Sequence, residues 1–301
     1  MKILSLFDGM SCGQLAIDRI GIKNYTYYAS EIDKYAIKIA KKNFPNTIHL
    51  GDVTSISPGN LPKIDLLIGG SPCQGFSFAG KQLAFDDPRS QLFFEFVRLL
   101  KELKPKYFLL ENVRMKKEYL DIITEYLGVE KFLVNSSLFS AQNRQRYYWT
   151  NIPFNKNIID KGIVLKDILE TNPKANNLSA MKYVKNGRQG DYLACDYDGK
   201  PKQVGIATDI NGHDILKRVY SPEGKSPTIN TMNGGNREPK VAIDDIYWRK
   251  LSVLEMERLQ TVPDNYTEGV SNSQRQKMLG NGFTVDVIAH IFKNLTKEYN
   301  E

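Results

Sequence analysis

The chain has 301 residues, 41% of them hydrophobic and 25% charged, with a net charge of +7. These are the proportions of an ordinary globular protein rather than a disordered one, and the length suits one large domain with a small lobe. Three cysteines (Cys12, Cys73, Cys195) without a CxxC spacing, and three scattered histidines, argue against a disulfide scaffold and a structural metal site. The N-terminus carries one lysine and an apolar stretch broken by Asp8, too short for a signal peptide, and no apolar run approaches a membrane span. A reducing, cytoplasmic setting without a membrane partner is the expectation. The positive charge fits a solvated surface or a polyanionic partner equally well.

In chain order, strands are predicted over Ile3–Phe7, Tyr27–Ser30, Ile64–Ile68, Tyr107–Leu110 and Arg146–Ile152. Between them, Gly13–Ile20, Asp33–Asn43, Ser90–Leu103 and Lys117–Leu127 carry helical spacing. Strand and helix in turn imply parallel βαβ units, whose ligands bind at the carboxyl ends of the strands. After about Pro153 the character changes. Residues 171–240 are turn-rich and hold 8 of the 22 glycines, with 11 basic against 7 acidic side chains. They read as a small, irregular, basic lobe facing a surface, or more blandly as a decorated insertion. Helical patterning resumes over Ser252–Gln260, Ser273–Leu279 and Thr284–Lys297.

Four stretches carry candidate chemistry. Phe7-Asp8-Gly9-Met10-Ser11-Cys12-Gly13 follows the first strand, and a glycine there lets the backbone approach a nucleoside closely. Glu31, after the second strand, suits ribose hydroxyls, and Asp52 suits an exocyclic amine. The spacing is not GxGxxG, and a plain strand–turn–helix reads the same way. Gly69-Gly70-Ser71-Pro72-Cys73-Gln74-Gly75-Phe76-Ser77 sets a thiol just past a buried strand. There Cys73 is a candidate nucleophile, against the commoner fate of a small buried cysteine. Glu111, in Glu111-Asn112-Val113, ends a predicted central strand, where a carboxylate costs desolvation unless used or paired. In Gln142-Asn143-Arg144-Gln145-Arg146, arginines two apart in an extended segment point to one side. They suit a base oxygen, a phosphate or Glu111, or form a solvated charge run.

The order of these motifs resembles the cytosine-C5 DNA methyltransferase family over nearly the whole chain except the basic lobe. Gly-Gly-Ser-Pro-Cys-Gln-Gly-Phe-Ser, Glu-Asn-Val, Gln-Asn-Arg-Gln-Arg-Tyr-Tyr and Gln276-Lys277-Met278-Leu279-Gly280-Asn281-Gly282-Phe283 occur in family order. The Phe-Asp-Gly form of the first loop is similar to the animal de novo DNA methyltransferases, while the length resembles bacterial or phage enzymes. The resemblance implies an α/β fold: a Rossmann-like S-adenosylmethionine-dependent methyltransferase domain over 1–160, a small irregular basic target-recognition lobe over 161–250, and a hinge with C-terminal helices over 251–301 that return to the catalytic domain. It implies methyl transfer to cytosine C5 within a short specific DNA sequence, on a base flipped out of the duplex. Cys73 would add to C6 and Glu111 would share a proton with N3, a role that needs a carboxyl pKa raised by burial. Arg144 would hold the base O2, and Arg146 would orient the glutamate or its loop.

S-adenosylmethionine is implied to lie against Phe7, Asp8, Gly9, Glu31, Ile32, Asp52, Val53, Pro72, Leu92, Asn281 and Phe283, leaving as S-adenosylhomocysteine. Gln74, Lys81, Arg89, Thr231 and Arg237 are the expected DNA contacts, the first three in a stretch that resembles a closing loop. The expected partner is double-stranded DNA. The expected state is a monomer with no metal, and any cognate restriction endonuclease acts separately. Methylation of RNA by the same residues, a catalytically dead DNA-binding relative and a nicotinamide oxidoreductase are the competing readings. The separate basic lobe, the intact catalytic residues and the missing GxGxxG weigh against them in turn.

Overall fold

The computed structural model describes residues 1–71, 88–171, 181–185, 200–231 and 234–299, with the side chains of 88–90 and 181–185 outside the description. They form two compact units, one of 1–134, 145–156 and 285–301, the other of 135–144 and 157–284.

The first unit is built on one sheet. Its elements in chain order are β1 (Lys2–Leu6), α1 (Cys12–Arg19), β2 (Thr26–Ser30), α2 (Lys34–Asn43), β3 (Ile48–Gly51), β4 (Leu66–Gly69), α3 (Pro88–Leu103), β5 (Tyr107–Val113), α4 (Lys117–Leu127), β6 (Lys131–Asn135) and β7 (Gln145–Thr150). The strand order is β3-β2-β1-β4-β5-β7-β6. The chain therefore steps outward one way from β1 and then crosses to β4 on its other side. That reversal is a topological switch point, where such sheets bind ligands. Pairing is parallel from β3 to β5 and antiparallel between β5 and β7.

Leu66–Gly69 is buried throughout, as a strand covered on both faces must be. Phe93, Phe96 and Leu99 of α3 lie under the sheet with Leu4, Leu6, Leu67, Leu110 and Trp149, all fully buried. Each such side chain contributes about 1.5–3 kcal/mol through removal from water. Gly69 is required here: a Cβ would stand 2.7 Å from the Phe96 ring. The β3 and β6 strands lack a predicted counterpart. Ile48 is 42% exposed and Leu133 47% exposed, so neither strand has the apolar run that a central one shows.

The second unit departs from the irregular lobe that was expected. It contains β8 (Met181–Lys185), β9 (Gln203–Ala207), α5 (Asp214–Lys217), β10 (Arg218–Tyr220), β11 (Lys240–Ala242) and β12 (Tyr247–Lys250), and the strands close into a barrel in the order β10-β11-β12-β8-β9. Strands of three to five residues carry too little alternation to show as a pattern, but closure removes their edges. Val204, Ala207, Val219 and Trp248 fill its core.

The helices α6 (Val253–Leu259) and α7 (Asn272–Asn281), expected in a hinge, belong to this unit, as does the 135–144 segment. Buried polar ties explain why. Glu255 makes a two-pronged pair with Arg249, and Glu257 accepts from the N–H groups of Asn265 and Thr267. Of the C-terminal helices described, α8 (Val285–Phe292) and the short α9 (Thr296–Tyr299) belong to the first unit. There α8 packs along α1, with an Arg19–Asp286 ion pair between them. Among the described residues, no helix is long and apolar enough to cross a membrane.

Candidate active site

Register alone assembles the site in the first unit. Leu6 is level with Ser30 on one side and Gly69 on the other, Ser30 is level with Gly51, and Gly69 with Leu110. The next residue of each strand therefore falls in one row along the carboxyl edge of the sheet: Asp52, Glu31, Phe7, Gly70, Glu111. Five stretches far apart in sequence meet there because parallel strands all end on the same side.

At the first loop, Gly9 has φ +58° and open space where a Cβ would stand. Its N–H donates to Glu31 Oε2 at 2.7 Å, while Glu31 Oε1 accepts from the N–H groups of Ile32 and Asp33, each at 2.8 Å. The carboxylate is thereby fixed by three backbone donors, and Oε2, which accepts only one of them, keeps acceptor capacity for a hydroxyl. Ile32, beside it, is 73% exposed, an unusual state for isoleucine and one that suits a flat apolar ligand face. Asp52 is exposed, and the N–H and hydroxyl of Thr54 both donate to its Oδ1 at 2.9 Å. Those donors, the N–H first, hold its carboxyl below the usual range.

Two of the expected cofactor residues, Val53 and Asp8, point inward, and two more are half-buried. Val53 is buried in the core that includes Leu4 and Leu6, because it opens the turn packed under α3. Phe7 and Leu92 are half-buried against the same core. Asp8 is buried, and its carboxylate is taken by the hydroxyls of Ser11 and Tyr27. Tyr27 has no counterpart in the sequence reading. Its signal there is only a polar ring tip at an inward position of the second strand.

At the other end of the row, Arg146 Nε lies 2.9 Å from Glu111 Oε1, with both side chains largely buried at 14% and 12% exposure. The pairing explains the approach. Val113 is opposite Arg146 and Glu111 opposite Tyr148, so the two reach each other diagonally on one face of the sheet. Glu111 is thus held both by burial and by a guanidinium. Asn112, the next residue, donates from Nδ2 to Ser71 Oγ at 3.2 Å, anchoring the start of the Ser71-Pro72-Cys73 stretch beside the pair. Pro72, Cys73, Gln74 and Lys81 lie outside the described residues, as does the side chain of Arg89.

Arg144 has a different environment from Arg146. It belongs to the second unit, is 2% exposed, and donates to the carbonyls of Ile229, Gly280 and Gly282 at 3.0–3.1 Å. The resemblance sets this guanidinium on a base oxygen; here Nη1 and Nη2 donate to main chain. The reason is local. Gly280 lets α7 touch the main chain of Asn230 so closely that a Cβ would stand 2.2 Å from the Asn230 carbonyl oxygen. Arg144 fills the resulting cluster of carbonyls. Gln142 joins the same network, accepting from Ile229 N–H at 3.0 Å and donating to the Leu259 carbonyl at 3.2 Å. Thr231 is half-buried and Arg237 exposed in this unit, as are Phe283 and Asn281 respectively.

Comparison with known proteins adds to this geometry. The model of the family described as "C-5 cytosine-specific DNA methylase" matches residues 1–297. Type II methyltransferase M1.ScrFI of Lactococcus lactis subsp. cremoris is 32% identical, across 98% of this chain and 77% of its own. Type II methyltransferase M.HhaI of Haemophilus parahaemolyticus is 26% identical, across 100% and 95%. Among solved structures, a putative DNA modification methyltransferase encoded within an Escherichia coli prophage superposes with a TM-score of 0.70 at 24% identity. The Dnmt2 methyltransferase of S. pombe does so at 0.71 and 16%, and both comparisons cover the full length of each chain. At those identities the structures speak to the fold alone.

Proposed function

The chain belongs to the C-5 cytosine-specific DNA methylase family and is a DNA cytosine-5 methyltransferase, and from that premise we propose how its residues divide the work. The reaction is methyl transfer from S-adenosylmethionine to C5 of a cytosine that has been flipped out of a short specific duplex sequence. The observation that carries this reading is the buried Glu111–Arg146 pair beside the anchored Ser71, at the carboxyl edge of the sheet.

The first loop suits the cofactor. The open space over Gly9, the backbone-fixed Glu31 carboxylate and the exposed Ile32 fit a nucleoside. Glu31 would accept from the ribose hydroxyls, Ile32 would cover the adenine, and Asp52 would take its amine through Oδ2. Phe7 and the Gly9 backbone would line the approach, with Pro72 and Leu92 beside them. When bound, S-adenosylmethionine supplies an electrophilic sulfonium methyl carbon.

The base chemistry falls to this chain. Cytosine C5 is a weak nucleophile until a thiolate adds at C6, which converts C4–C5 to an enamine-like system. Cys73 is positioned by sequence to supply that thiolate, two residues after the Ser71 anchor. Addition places electron density on N3, and Glu111 there shares or donates a proton while holding the exocyclic amine. Arg146 keeps Glu111 in place and offers its remaining donors to the base O2. This assigns to Arg146 the role that the resemblance sets on Arg144. Loss of the C5 proton then lets the thiolate leave and restores the aromatic ring.

Gln74, Lys81, Arg89, Thr231 and Arg237 are assigned to DNA, with the barrel unit as the reader of base edges. The enzyme is proposed to act as a cytoplasmic monomer, with any endonuclease partner separate. The test is methyl transfer from labelled S-adenosylmethionine to unmethylated genomic DNA, followed by bisulfite sequencing. A defined set of modified cytosines supports the reading and reports the recognition site. Incorporation into transfer RNA alone overturns the DNA assignment. Cofactor binding without incorporation into either overturns the catalytic one.

A further inference from the structure

The loop between β1 and α1 is bent hard. Phe7, Gly9 and Ser11 have φ of 56°, 58° and 64° within five residues. For the two that carry a Cβ, this left-handed conformation costs energy and persists only where the surroundings impose it. The imposing group lies beneath the loop. Asp8 Oδ1 accepts from the Tyr27 hydroxyl at 2.8 Å, Asp8 Oδ2 accepts from the Ser11 hydroxyl, and the Asp8 N–H donates to the Ser30 carbonyl at 3.0 Å. Above the loop, Gly9 N–H holds Glu31. The end of β2 is therefore tied to the loop twice, from below through Asp8 and from above through Gly9. Gly13 of α1 makes room for the lower tie, since a Cβ there would stand 2.8 Å from the Tyr27 hydroxyl oxygen.

Burial pushes the Asp8 carboxyl up to about 6, against the lowering effect of the Ser11, Ser5 and Tyr27 hydroxyls and with a smaller push from the charge of Glu31. Tyr27 is raised well above its usual range by burial first and then by the Asp8 charge, with Cys12 of α1 adding to it. With a folded value above the unfolded one of 3.8, the folded chain binds the extra proton between those values, so stability is lost as pH rises through about 6. A charged Asp8 at neutral pH is therefore a net cost to the fold.

We propose that Asp8 is a positioning residue for S-adenosylmethionine: buried beneath the loop, it acts through Gly9 and Tyr27 to hold Glu31 at the ribose and does not touch the cofactor itself. The proposal rests on the reading of Glu31 as the ribose acceptor. An asparagine at position 8 keeps the shape and removes the charge. Its single acceptor oxygen cannot serve both hydroxyls in their present donor roles.

The experiment measures S-adenosylmethionine affinity by calorimetry, thermal unfolding and steady-state kinetics for the full chain and its Asp8→Asn variant. At pH 7.5 the variant is expected to bind about tenfold more weakly, as loss of a charge-assisted tie implies. Its unfolding midpoint should be unchanged or higher, and its kcat at saturating cofactor close to wild type. Wild-type affinity should fall as pH drops through about 6, and the variant should lack that step. An unchanged dissociation constant overturns the proposal, as does a weakening matched by a lower midpoint. Should Asp8→Asn fail to fold, Tyr27→Phe decides, because it keeps the ring and removes one bond. A few-fold weakening supports the proposal and none overturns it. Wild-type protein that binds no S-adenosylmethionine overturns the cofactor reading as well, and is thereby distinct from failure of this proposal alone.

Discussion

Replacing Arg144 with alanine separates two roles for that residue. In the structure its guanidinium is 2% exposed and donates to three carbonyls, those of Ile229, Gly280 and Gly282. A hydrogen bond that involves a charged group contributes about 1.5–3 kcal/mol, and a buried carbonyl left without a donor costs about 1–3 kcal/mol. Water entering the space left by the side chain recovers part of this, so a net loss of about 3–5 kcal/mol is expected, at the upper end for single substitutions. At about 2–4 °C per kcal/mol for a unit of this size, the midpoint should fall by about 10 °C. The chain offers a clean reporter. It has two tryptophans, both fully buried, with Trp149 in the first unit and Trp248 in the barrel. In a Trp149→Phe background, fluorescence follows the second unit alone. Fluorescence-detected unfolding of that protein, with and without Arg144→Ala, measures the loss directly. A midpoint within about 2 °C of the background, together with a collapse in kcat, would refute this reasoning and return Arg144 to the base oxygen.

The remaining expectations address the reaction. Cys73→Ser should abolish turnover and leave S-adenosylmethionine binding intact by calorimetry; retained turnover removes the nucleophile assignment. Arg146→Lys keeps a charge but loses the planar fork that reaches Glu111, so kcat should fall about a hundredfold with cofactor affinity unchanged. A loss confined to KM for the cofactor would place Arg146 elsewhere. Replacing exposed Lys200 and Arg237 of the barrel unit with glutamine should weaken DNA binding and flatten its salt dependence by about 0.9 per phosphate contact removed. An identical slope would take that face off the DNA. The Asp8→Asn experiment completes the set through its opposite effects on affinity and stability.

Much of the first unit is legible in the residues themselves. The apolar runs of β1, β4 and β5 and the helical spacing of α1 to α4 are strong local signals, because the strands are buried on both faces and each helix buries one. The strands β3 and β6 escape because edge strands need no apolar run. The barrel escapes for a related reason: strands of three to five residues are too short for periodicity to show, and their stability comes from closure with partners as distant as Met181 and Trp248. Within the site, Glu31, Glu111 and the arginines stand out as charged residues at strand ends, where burial demands a use. Which arginine meets Glu111 does not stand out. Arg144 and Arg146 point the same way in an extended segment, and only the antiparallel register of β7 against β5 brings Arg146 diagonally onto the glutamate.

By itself the sequence determined the order of the chemistry: a glycine loop, an acid after the second strand, a thiol loop, a Glu-Asn-Val strand end and an arginine pair. These are local choices of residue type, each dictated by what a short stretch must do. Tertiary structure alone decided which of these side chains turn into the protein and which partner each one meets. It turned Asp8 and Val53 inward, gave Arg144 to three carbonyls and Arg146 to Glu111, and assigned α6 and α7 to the barrel unit. The physical reason is that a buried polar group must find a partner wherever the fold brings one within about 3 Å, and that partner is usually distant in the chain.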